Sequence, residues 1–198
     1  GIRQIIEWNH EDLLGVDIET GQTLWKFHLP HRGTNQNMPT PSFHKGHILV
    51  GGEKRGIRKI HPHLKNNKWH VTEKWHQTRA ALDMSTAVVN EDYLYGFSHY
   101  GLGELFCIDI NTGKILWKGP GRSGENATFL SIQGHVLSLI NDGELQIIQA
   151  KGSESNISVK YQVAKSETWS APVLLKNRIL VKDKNSLILW QFNDSKEK

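Results

Sequence analysis

The feature of this 198-residue chain that most constrains its fold is an internal repeat. Residues 16–26 (VDIETGQTLWK) recur as residues 108–118 (IDINTGKILWK), 92 positions further on. The two copies belong to a longer series of aromatic residues, Trp25, Trp75, Trp117 and Tyr161, which are spaced by 42 to 50 positions. A period of this length is typical of architectures built from stacked, similar units. The sequence therefore predicts a unit of about 45 residues that is repeated along the chain.

Each unit reads as a set of short β-strands. Val, Ile, Tyr, Phe and Trp are concentrated between polar turns, which is typical of strands rather than helices. Short apolar segments recur at residues 48–50, 93–95, 136–138 and 179–181, and each follows a polar turn and another short β-rich run. Runs separated by such short turns are typical of antiparallel hairpins. About four strands in some 45 residues is the composition of one β-propeller blade.

The predicted fold is all-β, a propeller of four-stranded antiparallel blades, with no helix longer than about two turns. The five predicted blades cover residues 1–30, 38–77, 82–119, 125–164 and 168–193. The first and last are incomplete, and both contain the two central strands, so they cannot merge into one blade. We therefore expect residues 1–198 to form a single partial propeller, the C-terminal part of a larger ring of about eight blades.

Composition excludes several classes of protein. Lys and Arg number 24 and Asp and Glu number 20, so the net charge of +4 is small and is spread along the chain. This is not the clustered basic patch of a nucleic-acid-binding protein. No apolar run approaches the roughly 20 residues that span a bilayer. The only cysteine, Cys107, excludes an internal disulfide, a thiol redox pair and a cysteine-rich zinc site.

The two long copies resemble the PQQ-type repeat, in which an apolar residue and Asp are followed by two variable positions, Thr-Gly-Lys, two further positions and Trp. This repeat is found in the quinoprotein-alcohol-dehydrogenase-like β-propellers. The segment 169–181 also resembles the closing blade of that family, so the resemblance covers essentially the whole chain. The motif is specific for the fold but much less specific for function, because one fold can carry many different sites.

We expect the motif residues to be structural. The Thr-Gly pairs supply the turn between the third and fourth strands, since glycine tolerates the backbone of a tight turn. The aspartates accept hydrogen bonds from the amides of that turn. The tryptophans lie between neighbouring blades, as the resemblance also implies. These residues are Asp17, Thr20, Gly21, Trp25, Asp109, Thr112, Gly113 and Trp117.

No residue is assigned a catalytic, cofactor-binding or metal-binding role. In the dehydrogenases of the family, PQQ and Ca²⁺ lie on the propeller axis under a ring of two vicinal cysteines, and Cys107 alone cannot form that pair. The segment 141–143 (NDG) offers oxygen ligands, but a plain turn is the favoured interpretation. A serine-nucleophile elbow and a phosphate-binding loop are both missing from the sequence.

Several histidines are close enough in the sequence to be considered as metal ligands. An extended segment would place His61 and His63 on one face. Three further pairs are close in sequence: His28 with His31, His44 with His47, and His70 with His76. Because Pro62 indicates an edge or a loop, exposed loop histidines are favoured over a metal site.

Three functional hypotheses follow from the resemblance. The first is a non-catalytic binding or scaffold propeller that holds protein partners through its loops, similar to outer-membrane assembly lipoproteins and other bacterial PQQ-repeat proteins. The alternative is a PQQ- and calcium-dependent quinoprotein dehydrogenase that oxidises alcohols or sugars. The second alternative is an extracytoplasmic sensor domain. The resemblance implies a periplasmic, secreted or outer-membrane-associated protein.

Overall fold

The repeat units fold as five antiparallel sheets in a computed structural model that describes residues 2–31, 37–152 and 157–192. In these residues the chain forms eighteen strands, and the helical element there is a 3-10 turn over Tyr100–Leu102. Every strand pairs with the strand that follows it in its sheet. The predicted all-β fold of antiparallel blades is confirmed. That these sheets are part of a larger ring stays a prediction.

We call the sheets blades 1 to 5. Blade 1 contains β1 (Gln4–Trp8), β2 (Asp12–Asp17) and β3 (Thr23–His28). Blade 2 contains β4 (Ser42–His44), β5 (His47–Gly52), β6 (Gly56–Lys65) and β7 (Lys68–Gln77). Blade 3 contains β8 (Val88–Asn90), β9 (Tyr93–Ser98), β10 (Glu104–Asp109) and β11 (Ile115–Lys118). Blade 4 contains β12 (Ala127–Ile132), β13 (His135–Ile140), β14 (Glu144–Gln149) and β15 (Ile157–Gln162). Blade 5 contains β16 (Val173–Leu175), β17 (Arg178–Lys182) and β18 (Leu187–Gln191).

The core lies between the blades, which pack face to face in chain order. Each of four buried clusters combines side chains from two consecutive blades. In β5, Ile48 and Val50 join the cluster shared with blade 1, whereas Leu49 joins the cluster shared with blade 3. Successive strand residues point to opposite faces, so a strand buried on both faces needs apolar residues at consecutive positions. This explains the short apolar runs at the centre of each repeat.

An irregularity in register recurs between the last two strands of blades 1 to 4. The register shifts between Gly15 and Val16 in blade 1, and equivalent shifts occur in blades 2, 3 and 4. A bulge of this kind increases the local twist of the outer strand and re-aims its side chains. The bulge is therefore a shared part of the repeat.

Blade 2 departs from the repeat because its outer hairpin is longer. Strands β6 and β7 each have ten residues, and Asn66 and Asn67 turn between them with φ of 50° and 59°. Two successive positive φ values are typical of the tight type I′ hairpin turn. The expectation that Pro62 marks an edge or a loop is confirmed for an edge, since Pro62 lies in the part of β6 that pairs with β7 alone, opposite Val71. Pairing with β5 ends at Ile60, so Pro62 has a neighbouring strand on one side only, where a missing N–H is tolerated.

Candidate functional site: the linker face

The repeat motif forms a hydrogen-bonded turn in blades 1 and 3. In blade 1 the Asp17 Oδ1 atom accepts hydrogen bonds from the amides of Glu19 at 2.8 Å and Thr20 at 3.1 Å. In blade 3 the Asp109 Oδ1 atom accepts the matching bonds, from Asn111 at 2.7 Å and Thr112 at 3.1 Å. The glycine that follows each threonine has a positive φ, 71° at position 21 and 73° at position 113. These contacts are local to the turn, which indicates that the motif residues have a structural role.

The tryptophans of the repeat lie against neighbouring blades. Trp25 is 4% exposed and packs in the cluster between blades 1 and 2, and its Nε1 atom donates to Gln4 Oε1 at 2.7 Å. Trp117 packs against the cluster between blades 3 and 4. Its Nε1 atom is buried without a hydrogen-bond partner in the described part of the chain. The motif residues therefore stabilise the packing of the blades, and the loops are the candidate functional surface.

Strand order places two sets of connections at one end of the blades. In an antiparallel sheet of consecutive strands, the connections alternate between the two ends. In the four-stranded blades, the turns between the second and third strands therefore emerge at the same end as the linkers to the next blade. We call this end the linker face. In the described residues it includes linkers 29–31, 37–41, 78–87, 119–126 and 163–172, and turns 53–55, 99–103 and 141–143.

A buried set of polar side chains ties these connections together. We call Ser85, Asn126, Asn141 and Thr168 the polar belt, and each is at most 8% exposed. The Ser85 hydroxyl donates to the Asn126 side chain, and the Asn141 Oδ1 atom accepts from the Asn126 amide at 3.3 Å. The Thr168 amide donates to the Asn141 carbonyl at 2.9 Å, and its hydroxyl donates to Ile140 at 2.8 Å. The belt thus joins three successive linkers.

Two further attachments hold the rest of the linker face. Arg55 lies over the Trp8 ring at 4.8 Å and donates to the Pro30 carbonyl at 3.0 Å, which fixes the first linker. The amides of Arg122 and Ser123 donate at 3.0 Å to carbonyls in the 99–103 turn. Buried hydrogen bonds in a low-dielectric interior favour one arrangement of the groups that they join. The linker face is therefore a rigid surface made of loops.

Large apolar side chains project from this rigid surface. Met84 is 42% exposed, Leu102 is 69% exposed and Trp169 is 45% exposed. Met84 directly precedes Ser85 and Trp169 directly follows Thr168, so two of the three flank members of the polar belt. We call these three residues the exposed trio. Exposed apolar patches with a polar rim mark protein-interaction surfaces, and these three side chains lie at one end of the blades.

The linker face also carries a perturbed carboxyl group. Burial and the nearby Glu53 carboxylate raise the pKa of Asp83, while His99 and Lys54 act in the opposite direction. Both ring nitrogens of His99 are buried without a hydrogen-bond partner among the described residues. The polar belt, by contrast, consists of Ser, Asn and Thr side chains, which carry no charge.

The residues do not fit the cofactor chemistry of the dehydrogenases. Across residues 2–31, 37–152 and 157–192, no group of three or more His, Cys, Asp and Glu side chains could hold a metal ion. Asn141, which the sequence offered as an oxygen ligand, uses its side-chain oxygen to accept two backbone amides. Cys107 is fully buried in β10, and burial raises the pKa of its thiol to about 12. A thiol of that kind is unreactive at neutral pH.

Sequence reasoning expected binding through loops but did not identify the polar belt. Ser85, Asn126 and Thr168 each lie in the second half of a linker, and they are spaced by 41 and 42 residues. That spacing is in phase with the repeat, and it is the sequence signal that could have identified these positions. A small polar residue before a strand has many common roles, so the signal alone does not distinguish a buried belt from an exposed turn.

The five sheets and the Asp, Thr-Gly and Trp repeat define a PQQ-like repeat β-propeller. The model of the family described as outer membrane protein assembly factor BamB matches residues 9–196, so the chain belongs to that family. In the described residues, no helix is long and apolar enough to cross a membrane.

Two solved structures are similar to this chain at low sequence identity. BamB from Moraxella catarrhalis is 18% identical, with a TM-score of 0.49, over 96% of this chain and 70% of that one. The computationally designed Ika4 protein is 14% identical, with a TM-score of 0.56, over 82% of this chain and 94% of that one. No curated protein matches the chain.

Proposed function

We propose that the propeller is a non-catalytic binding and scaffold module that holds a protein partner on its linker face. The observation that carries the proposal is the exposed trio, Met84, Leu102 and Trp169, on loops held by buried hydrogen bonds. The family description, an assembly factor for outer membrane proteins, supports a protein as the partner. The same description supports a periplasmic or outer-membrane-associated location.

The chemistry of the trio indicates what the partner presents. A thioether, an isobutyl group and an indole bind apolar side chains, and Met and Trp are both enriched in the cores of protein interfaces. Charged residues lie on the same linker face, such as Arg122, Glu125 and Glu167, and these suit the polar rim of an interface. Because the loops are already held in place, little conformational entropy is lost on binding. The partner is therefore a protein segment with aliphatic or aromatic anchors.

Site-specific photo-crosslinking tests this proposal. A benzophenone amino acid would replace Leu102 or Trp169 in the protein expressed in its own cells, and Leu64 would be the matched control. Leu64 is an apolar side chain that is 53% exposed, but it lies on β6 beside the hairpin turn at Asn66 and Asn67, at the opposite end of the blades. We expect one protein to crosslink to positions 102 and 169 and not to position 64. Equal adducts at all three positions, or adducts at none, would contradict the proposal.

A second experiment separates binding from loss of folding. The triple variant Met84→Ser, Leu102→Ser and Trp169→Ser should unfold at an unchanged urea concentration, because all three side chains are exposed. It should nevertheless lose the partner in co-purification. If PQQ with Ca²⁺ bound saturably to the protein and supported dye-linked alcohol oxidation, the dehydrogenase hypothesis would replace this one.

A further inference from the structure

Four histidines form a continuous row on one face of blade 2. The ring centroids of His47 and His61 are 4.7 Å apart, those of His61 and His63 are 5.1 Å apart, and those of His63 and His70 are 5.8 Å apart. Successive ring planes are tilted by 20° to 30°, so the rings are stacked. We call these residues the imidazole row. They lie on strands, so the expectation of loop histidines was wrong.

The row results from strand register. His61 and His63 are two positions apart in β6, so their side chains share one face of the sheet. His70 is directly opposite His63 in β7. His47 begins β5, one position before Ile48, whose partner in β6 is Ile60. Each ring is thus placed by backbone pairing, and the long hairpin of blade 2 is what extends the row beyond β5.

Hydrogen bonds leave ring nitrogens available for a ligand. The Nδ1 atom of His47 is 2.9 Å from the Lys45 carbonyl, and the Nδ1 atom of His63 is 3.1 Å from the His61 carbonyl. A carbonyl oxygen can only accept, so each Nδ1 atom is the protonated one. The Nε2 atoms then carry the lone pairs. Histidines that bind metal ions are held in the same way, by a second nitrogen that donates to a carbonyl or carboxylate.

The row is open to solvent and lies near two lysines, Lys74 and Lys59, whose charges act on His61. His70 is exposed and the other three rings are half-buried, so solvent reaches the row. Lys59 and Lys74 repel cations, which limits the affinity of any cation site here.

We propose that the imidazole row binds a divalent transition-metal ion, Cu²⁺, Ni²⁺ or Zn²⁺, through the Nε2 atom of His63, one nitrogen of a neighbouring imidazole and water. The neighbour is His61 or His70, whose ring centroids lie 5.1 Å and 5.8 Å from that of His63. Metal–nitrogen bonds of about 2 Å require the two ring nitrogens to lie about 3 Å apart, so the stacked rings have to rotate for both to bind one ion. The rings follow one another and no three described side chains converge, so the site uses two imidazoles at a time. Imidazole ligands select these ions over Ca²⁺ and Mg²⁺, which prefer oxygen.

Titration of the untagged protein with CuCl₂ and with NiCl₂, followed by calorimetry, tests the proposal. Because loss of even an outer-shell partner of a metal costs about 10- to 100-fold in affinity, losing a ligand should cost at least about tenfold. We expect His63→Gln to show that loss. His135→Gln, an imidazole change in blade 4, should bind as the wild type does. Electron paramagnetic resonance of bound Cu²⁺ should show coupling to two nitrogens, and excess CaCl₂ should not compete.

Two further variants keep the test decisive. The double variant His61→Gln with His70→Gln leaves His63 without a neighbouring imidazole and should bind as weakly as His63→Gln, and an unchanged circular dichroism melt would exclude unfolding as the cause. His10→Gln disrupts a separate pair, since His10 and His31 have ring centroids 3.7 Å apart. If His10→Gln abolished binding while His63→Gln and the double variant did not, the imidazole row would not be the site. Equal binding by all variants would also overturn the proposal.

Discussion

The indole of Trp75 in blade 2 packs directly against Gly113 in blade 3. A Cβ atom built on Gly113 would lie 2.7 Å from the Trp75 ring. The Trp75 Nε1 atom donates to the Ile110 carbonyl at 2.8 Å, and Gln77 donates to the Gly113 carbonyl at the same distance. The turn of one blade is therefore the docking surface for the outer strand of the blade before it. Blade 2 lacks the long motif but provides this contact.

This relationship predicts different costs for two alanine substitutions. Gly113→Ala meets both a positive φ and the Trp75 ring, whereas Gly21→Ala meets a similar φ with no atom within 4 Å. A left-handed backbone costs a non-glycine residue about 1–2 kcal/mol, and overpacking adds about 1–3 kcal/mol. In urea unfolding, Gly113→Ala should therefore lose about 1–3 kcal/mol more free energy of unfolding than Gly21→Ala. Equal losses for the two variants would show that the close approach has no energetic consequence.

The indole hydrogen bond can be tested with a matched pair of phenylalanine variants. Trp75→Phe removes a donor that is bonded to Ile110, whereas Trp117→Phe removes a buried donor with no partner among the described residues. Both changes lose similar ring volume. A hydrogen bond contributes about 0.5–1.5 kcal/mol, so Trp75→Phe should lose about 1 kcal/mol more free energy of unfolding. If Trp117→Phe were the more destabilising variant, the Trp117 indole N–H, and not that of Trp75, would be the donor that stabilises the fold.

The raised pKa of Asp83 predicts a pH-dependent effect on stability. Its folded pKa lies above the ordinary value of 3.8, chiefly because of burial, so the folded state favours the protonated form. This carboxyl group therefore reduces stability as pH rises through the folded pKa. Asp83→Asn should be more stable than the wild type at pH 7, and this gain should disappear below pH 3.8.

Thermal melts across that pH range measure this difference. Asp142→Asn, a carboxyl change in the 141–143 turn, is the control and should show no such gain at pH 7. If Asp83→Asn were destabilised at pH 7, the ionised carboxylate would be forming a stabilising contact instead.

The outer face of blade 5 predicts self-association of the chain. Val173 lies opposite Leu180 and Leu180 lies opposite Leu189, so the three share one face. Val173 and Leu189 are about half exposed, and Leu187 is 66% exposed. An apolar sheet face of this kind favours association.

Sedimentation velocity at several concentrations tests this prediction. The variant Val173→Ser with Leu189→Ser should shift the chain towards the monomer. Leu64→Ser, which changes a side chain that is 53% exposed on β6, should leave association unchanged. A wild-type chain that stays monomeric at all concentrations would contradict the expectation.

The sequence by itself determined the repeat, the strands and the class of fold. Gly21 and Gly113 mark turns because a positive φ is a local requirement, and short apolar runs between polar turns mark strands because a central strand is buried on both faces. Such local signals can be read without knowing which residues meet in space. The resemblance of the motif to PQQ-type repeats was enough to anticipate the family that the comparison then showed.

Only the tertiary structure decided which distant residues meet. Trp75 reaches Gly113 across a blade boundary, and Ser85 meets Asn126, 41 residues away. The imidazole row needed the register between β6 and β7, which places His70 opposite His63. Pairing register and the packing of one blade on the next depend on the whole set of strands at once. No local pattern carries that information, because each contact is fixed by chain segments that are far apart in the sequence.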